Sequence, residues 1–386
     1  MTQLTAREIL EILVAFPTVS RDSNLPLIDW VEDYLADYGV TSHRVYNDEG
    51  TKAALFANIG PEVAGGTIFS GHTDVVPVDG QNWHTDPFTV TEKDGLLYGR
   101  GTCDMKGFIA CALAAVPYAL AAGLKRPMQL ALSYDEEVGC TGAPPMIDAM
   151  VTTLPPAAVA VIGEPSMMKT VTSHKGGIGY MLHVQGFEVH SSLMDTGVNA
   201  IMEGARIIDW ANQKNSEIRA AKPTALAAIF NPPFTTLHTG QISGGTAHNI
   251  TARDCHFGVD FRFVPDDDQD RWCDRLVAKV VEVEKGMQAV RPETKITMTR
   301  RFHVPGLKPE KGGAAEAMVR GMTGDNGTHV VSYGTEAGQF QERGYSSVIC
   351  GPGDIAQAHQ PDEFLSLDQL RQGEKFARQL VDLLVE

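Results

Sequence analysis

Two histidines and several carboxylates in this chain stand just past segments that read as strands, and residues of those types in those places could hold metal ions. His72 lies in Ser70-Gly-His-Thr-Asp74, directly after the short apolar run Thr67–Phe69. In extended chain His72 and Asp74 point to the same side. A carboxylate on the second ring nitrogen is the usual way to fix a metal-binding histidine's tautomer and direction. Taken singly, the pair is equally a histidine at a strand end beside a solvated aspartate. The later carboxylates change that. Glu136 and Glu137, in Ser133-Tyr-Asp-Glu-Glu-Val-Gly139, follow one apolar strand, and Glu164, in Gly163-Glu-Pro165, follows another. His359 comes after the strand 347–350, within the segment 351–363. Open α/β sheets bind ligands at the carboxyl ends of their strands. Acids and imidazoles converging there would repel and desolvate one another unless a cation lay among them. The supply of donors exceeds what one tetrahedral zinc takes, which points to two metals.

The segment after residue 350 also carries a decoy. Gly351-Pro-Gly353-Asp-Ile-Ala356 matches a dinucleotide fingerprint. That fingerprint needs a helix to start there and receive a pyrophosphate at its N-terminus. Gln360-Pro361 would stop such a helix after barely two turns, and no βαβ unit follows. No Walker A sequence, H-E-x-x-H or G-x-S-x-G occurs in the chain.

At 386 residues there is chain enough for two domains. Formal net charge is -16 and no Lys/Arg-rich block occurs, so a nucleic-acid footprint is absent and an anionic membrane surface would repel the protein. Six cysteines without a CxxC pair suit a reduced compartment better than a disulfide framework. The first residues show no signal-peptide core or lipidation motif, and no apolar run approaches 18 residues. The expectation is a soluble cytoplasmic protein.

The elements that would position these residues alternate in type. Thr5-x-x-Glu8 is a capping box ahead of Ile9, Leu10, Leu13 and Val14 at helical spacing. Asn24 is set to cap a second helix, striped by Leu27, Ile28, Val31, Tyr34, Leu35 and Tyr38 and ended by Gly39. Strands are expected near 41–46, 53–59, 66–71, 128–134 and 157–162, with helices at 108–123 and 144–151. Strands alternating with helices imply an α/β fold: a mostly parallel sheet covered by helices. The texture changes near residue 179. A strand at 180–186, a helix at 198–212, strands at 235–243 and 255–263, a helix at 266–286 and a strand at 295–301 make a compact α+β unit of the split βαβ, ferredoxin-like kind. This reads as a domain of residues 180–302 inserted into a domain formed by 1–179 and 303–386. The chain then returns with a helix near 311–322, strands near 328–333 and 346–350, and a last helix capped by Ser366-x-x-Gln369.

The motifs Gly71-His-Thr-Asp-Val-Val-Pro77, Gly99-Arg-Gly-Thr-Cys-Asp-Met-Lys-Gly107, Asp135-Glu-Glu137, Ile162-Gly-Glu-Pro165, His190-Ser-Ser192 and Gln357-Ala-His-Gln-Pro-Asp-Glu363 run through the whole chain in one order. In them the chain resembles the zinc-dependent peptidase and deacylase family of the aminoacylases, the acetylornithine and succinyl-diaminopimelate deacylases and bacterial glutamate carboxypeptidase. Tyr333-Gly-Thr-Glu-Ala337 looks like the acetylornithine branch; the desuccinylase branch carries a different, Ser/Asp-containing loop there. The resemblance implies an amide hydrolase with two zinc ions, cobalt or manganese being possible substitutes. Asp104 would bridge them, with His72 and Glu164 on the first metal and Glu137 and His359 on the second. Glu136 would be the general base and Asp74 the partner of His72; the peptide after Asp104 is often cis in such proteins.

Metal coordination lowers the pKa of bound water, and a non-ligand carboxylate must then take the proton and pass it to the leaving amine. Glu136-Glu137 supplies a base and a ligand side by side because neighbouring side chains diverge. By resemblance His190 donates to the oxyanion and reaches into the partner subunit's site, which implies a homodimer made through the inserted domain. Asn249 and Arg262 fall in that domain as substrate contacts, an arginine being suited to clamp the α-carboxylate of an N-acyl amino acid. Thr335 and Glu336 lie past a strand end on the expected rim. There Gly334 lets backbone approach a ligand, and Glu336 offers a negative charge to a cationic side chain.

Overall fold

Thr5 closes its capping box in both directions: its side chain accepts the Glu8 amide, and the Glu8 carboxylate accepts the Thr5 amide at 2.7 Å. The helix Ala6–Ala15 buries Ile9, Leu10, Leu13 and Val14, as its spacing predicts. The helix Leu25–Asp37 buries Leu27, Ile28, Val31, Tyr34 and Leu35, and Gly39 follows it in the left-handed region at φ +74°. Asn24 does not cap this helix through its side chain. Its amide instead bridges away, donating to Ala53 O at 2.8 Å and Thr73 Oγ1 at 2.9 Å while accepting the Ala53 amide at 3.0 Å. The neighbouring strand backbone offers two bonds and the Thr73 hydroxyl a third, where the cap offers one.

The structure, a computed structural model, describes residues 3–386. The chain divides into two compact units. The first runs up to Ser173 and takes in Leu307–Val330 and Thr335–Glu386; the second is His174–Gly306 with Val331–Gly334. The division falls at His174 rather than after 179 because Gly176–Gly179 already pair, at one end of a long strand, with Asp260–Phe263.

The first unit is built on an eight-stranded sheet. In spatial order its strands are Ser42–Tyr46, Ala53–Ile59, Met128–Ser133, Gly66–His72, Ala157–Pro165, Ser346–Gly351, Val171–His174 and His329–Val331. The four strands from Met128–Ser133 to Ser346–Gly351 are mutually parallel, and Ser42–Tyr46 and Ala53–Ile59 continue the sheet antiparallel. The helix Lys106–Ala121, buried on most faces despite Pro117, packs between Ala6–Ala15 and the final helix Leu367–Leu383, whose N-cap Ser366 accepts the Gln369 amide. It passes so close to the Glu164 strand that a Cβ on Gly163 would sit 1.9 Å from the Phe108 ring. Only glycine fits there. A small sheet of Thr91–Lys93, Leu96–Tyr98 and Phe364–Ser366, the strand Val171–His174 and the short helix Ala337–Glu342 went unread in the sequence. Each is short, and periodicity needs length.

The second unit is an antiparallel sheet in the order Thr236–His238, Asp254–Phe263, Gly176–Gln185, Lys295–Val304, with Ile242–Gly244 also on Asp254–Phe263. Counted along the chain this is second, third, first, fourth, the split βαβ arrangement expected. The core is made with the helices Ala200–Ala220 and Gln269–Val290, through residues such as Ile207, Phe257, Phe261, Leu276 and Val283. The strand expected over 235–243 is broken between His238 and Ile242. The first helix continues about two turns past 212, carried by polar surface pairs such as Lys214 with Glu217 at 2.8 Å. All six cysteines are free thiols. Among the described residues, no helix is long and apolar enough to cross a membrane.

Candidate metal centre

The residues singled out from strand ends meet at one end of the four parallel strands. His72 is the last residue of Gly66–His72, Glu136 and Glu137 lie just past Met128–Ser133, and Glu164 sits near the end of Ala157–Pro165. His359 follows Ser346–Gly351 through the turn Ile355–Gln357. Four neighbouring strands thus each contribute, which is why residues nearly 300 positions apart converge. Asp104 arrives from the other direction, on the loop before Lys106–Ala121, and the Asp104–Met105 peptide is cis.

The His72 Nδ1–H donates to the Asp74 carbonyl at 2.8 Å, so Nε2 is the nitrogen left to ligate. It lies 3.0 Å from Asp104 Oδ1 and 3.9 Å from Glu164 Oε1. The other Asp104 oxygen is 3.3 Å from His359 Nε2, which is 2.9 Å from Glu137 Oε2. Asp104 therefore offers one oxygen to each histidine. His72, Asp104 and Glu137 each present a ligand atom within 4.8 Å of the others, and so do His72, Glu136 and Glu164. Distance alone does not separate Glu136 from the ligands.

The expected His72–Asp74 contact is made differently. The carboxylate Oδ1 is 3.6 Å from the ring nitrogen, and it is the backbone carbonyl of Asp74 that holds the ring. The carboxylate instead accepts from Ser20 Oγ at 2.7 Å and from the Glu136 and Glu137 amides at 3.1 and 3.4 Å. Asp74 ties the His72 strand end to the Glu136-Glu137 turn.

The centre is dense in buried carboxylates, as a cation site would be. Glu164 Oε1 is buried with no hydrogen-bond partner. Burial, then repulsion from Glu136 and Asp104, pushes Glu164 well above the usual carboxylate range. Burial also raises Glu136 to about 8, with Glu137, Glu336 and Asp104 adding to it against His72. Glu137 rises to about 7 through burial and then Asp104. Asp104 goes the other way: burial opposes ionisation, but the two histidines outweigh it. His359 rises to about 10 through Asp104 and Glu137. Protons substitute poorly for divalent charge here. A donor set of carboxylates and imidazoles, one atom of it orphaned, fits zinc, cobalt or manganese.

The residues expected to meet substrate are differently disposed. Thr335 and Glu336 are 0% and 1% exposed, not on an open rim. Glu336 opens the helix Ala337–Glu342, and its carboxylate accepts from Ser133 Oγ and, at 3.3 Å, from Ser70 Oγ, beneath the strand ends that carry His72 and Glu136. Thr335 Oγ1 accepts the Ala337 amide at 3.1 Å. His190, Asn249 and Arg262 belong to the second unit. There Arg262 Nε is 3.3 Å from Asp260 Oδ2, and Asn249 accepts the Ser191 amide at 2.9 Å through its carbonyl. His190 is exposed, and its Nδ1 accepts the Ser192 amide at 3.3 Å, leaving Nε2 as the protonated, donating nitrogen. Cys140, Arg100 and Glu363 were given no role from sequence. The Cys140 thiol lies 3.2 Å from Glu136 Oε1, and Arg100 and Glu363 form a buried pair at 2.7 Å.

Residues 68–383 match the description peptidase family M20/M25/M40. A protein of Myxococcus xanthus named acetylornithine deacetylase is 36% identical, over 94% of this chain and 93% of its own length. A protein of the same name in Pasteurella multocida is 34% identical, over 92% of each. The M20 family metallo-carboxypeptidase Sso-CP2 of Sulfolobus solfataricus superposes with a TM-score of 0.77 at 17% identity, covering 98% of this chain and 99% of that one. The motifs, the sheet with its convergent ligand-bearing strand ends and these full-length likenesses agree: the chain belongs to peptidase family M20/M25/M40.

Proposed function

We propose that this protein is a dizinc amidohydrolase of the cytoplasm that removes the acetyl group from N2-acetyl-L-ornithine, giving L-ornithine and acetate for arginine biosynthesis. The observation that carries the reading is Asp104, buried and facing one histidine with each carboxylate oxygen. Its substrate half is supported by the full-length likeness to two acetylornithine deacetylases. His72, Asp104 and Glu164 would hold one ion, and Asp104, Glu137 and His359 the other. The ions, when bound, supply the positive charge that makes water acidic enough at neutral pH to serve as nucleophile and that polarises an amide carbonyl.

The chain's own residues do the rest. Glu136 takes the proton of the attacking water and delivers it to the leaving amine, so the C–N bond breaks to a neutral amine and a carboxylic acid, which then gives its remaining proton to solvent. Asp74 fixes the amides on either side of it. His190 donates from Nε2 to the oxyanion, and Arg262, oriented by Asp260, clamps the α-carboxylate with help from Asn249.

The second unit acts as lid and dimerisation domain. Around His190 it exposes Leu193, Met194 and Ile250, an apolar set that a second copy of the chain would cover. Six free cysteines support the cytoplasmic assignment. The decisive test is metal analysis of the purified protein with and without chelator, joined to free-amine release from a panel of N-acyl amino acids. Two equivalents of metal and a clear preference for acetylornithine are expected; preference for another acyl amino acid would move the protein to a sibling deacylase.

A further inference from the structure

The least enclosed member of the centre is His359, whose side chain is 53% exposed. Its backbone is left-handed at φ +64°, as is that of Asp362 at φ +57°, a conformation that non-glycine residues rarely keep without restraint. The restraint comes from a network that the chemistry above does not use. Glu363 is 1% exposed, and its Oε1 accepts two successive amides, Cys103 N at 2.9 Å and Asp104 N at 3.0 Å. Its Oε2 takes Arg100 Nη1 at 2.7 Å, and Arg100 is also 1% exposed. Arg100 Nη1 further donates to Gln360 O at 3.3 Å, and Nη2 to Gln81 Oε1 at 2.6 Å. Gln81 Nε2 then donates to the carbonyl of His359 itself at 2.9 Å. A closed path of hydrogen bonds runs from the amide of Asp104 through Glu363, Arg100 and Gln81 to the backbone of His359.

We propose that the Arg100–Glu363 pair is a positioning device: it sets the Asp104 loop against the His359 segment and so governs the affinity of the one cation shared by Asp104, Glu137 and His359. This rests on the reading of the site as a two-metal centre. A buried ion pair is a poor source of stability, since desolvation offsets most of its attraction. Two adjacent amides aimed at one oxygen are, in contrast, a precise way to fix a loop. The Asp104 amide is bonded by the same glutamate whose chain, four residues earlier, carries His359. Movement of either segment is thereby transmitted to the other. The path meets the other cation only through Asp104 and touches neither His72 nor Glu164, so that cation should be affected less.

The test is titration of the metal-free full-length protein with Zn(II), and separately with Co(II), read by competition with a chromophoric chelator and by the Co(II) visible spectrum. Glu363→Gln turns an acceptor facing Arg100 into a donor. It should weaken one of two equivalents ten-fold or more and alter its Co(II) absorption, while the other, which shares only Asp104 with the network, weakens by a clearly smaller factor. Gln81→Ala, at a half-buried position where folding is not at stake, should weaken the same equivalent by a smaller factor. His359→Ala identifies that equivalent, and Glu363→Gln added to it should cost nothing further. Equal weakening of both equivalents with a lowered melting temperature of the metal-free protein would mean a merely structural pair and overturn the proposal. So would two unchanged equivalents in folded Glu363→Gln and Gln81→Ala. Failure of the wild type to bind two equivalents would instead remove the two-metal reading, and the proposal with it.

Discussion

Glu136→Gln is the perturbation that separates base from ligand, because Glu136 presents an oxygen within 4.8 Å of ligand atoms of His72 and Glu164, so proximity alone does not tell the two roles apart. The substitution is isosteric. It keeps the Glu136 amide on Asp74 and leaves an oxygen for the Cys140 thiol, now 3.2 Å away, but cannot accept a proton. Loss of a general base is worth about 10²–10⁴ in rate, or about 3–5 kcal/mol of barrier. Metal content after dialysis should stay at two equivalents and KM should change little. A second consequence follows from the charge. In the metal-free protein Glu136 titrates near 8 against 4.5 for an ordinary glutamate, so between those values the folded chain keeps a proton that the unfolded chain has released. Stabilisation from such a group is complete below about pH 4.5 and is lost as pH rises through 8. Glutamine carries no such titration. Metal-free Glu136→Gln should therefore melt increasingly above the wild type as pH goes from 6 to 9. The assay set is acetate release, metal analysis and thermal melts across that range. Loss of one metal equivalent in Glu136→Gln but not in Glu137→Gln would refute the assignment and exchange the two roles.

Metal-free wild type should itself lose stability from pH 6 to 9. Glu137 near 7, Glu136 near 8 and His359 near 10 all bind more protons folded than unfolded there, and saturating zinc should flatten the profile. A chelated protein whose melting temperature rises with pH would contradict the cluster's electrostatics. If His190 serves the neighbouring subunit, inactive His190→Ala and Glu136→Gln proteins should regain activity when mixed, each mixed dimer holding one complete site; no recovery, with exchange confirmed, would confine His190 to its own subunit. Glu336→Gln should lower kcat/KM for acetylornithine and acetylmethionine alike, because its carboxylate is buried on Ser70 and Ser133. A loss concentrated on acetylornithine would restore it as the contact for the substrate ammonium.

What could be read from the sequence is what depends on short-range pattern. Leu130–Leu132 and Val159–Ile162 are continuous apolar runs because they are buried on both faces of the sheet, and a polar residue soon after such a run marks a strand end. His72, Glu136, Glu137, Glu164 and His359 were all found that way. The contacts between them were not, since they depend on side-chain angles and on partners far along the chain. Asp74 shares a side with His72, as its spacing requires, yet a small rotation sends its carboxylate to Ser20 and two amides and gives the ring to its carbonyl. Ser133 meets Glu336 across 203 positions and Arg100 meets Glu363 across 263, and no local pattern marks either pair.

A charged residue read from sequence is assigned to solvent by default, because burial without a partner is costly. Arg100, Lys106, Glu336 and Glu363 all break that default, each at 1% exposure or less. Lys106 lowers towards 7 under desolvation while its ammonium reaches the Phe16 carbonyl at 2.8 Å. Three of them fall in or beside the segments that carry Asp104 and His359, and the fourth lies beneath the strand ends of His72 and Glu136. The chain thus surrounds a centre of buried carboxylates and histidines with further charges that have almost no access to solvent. Local rules give way at that point because the placement of a few catalytic atoms outweighs the preference of any single side chain.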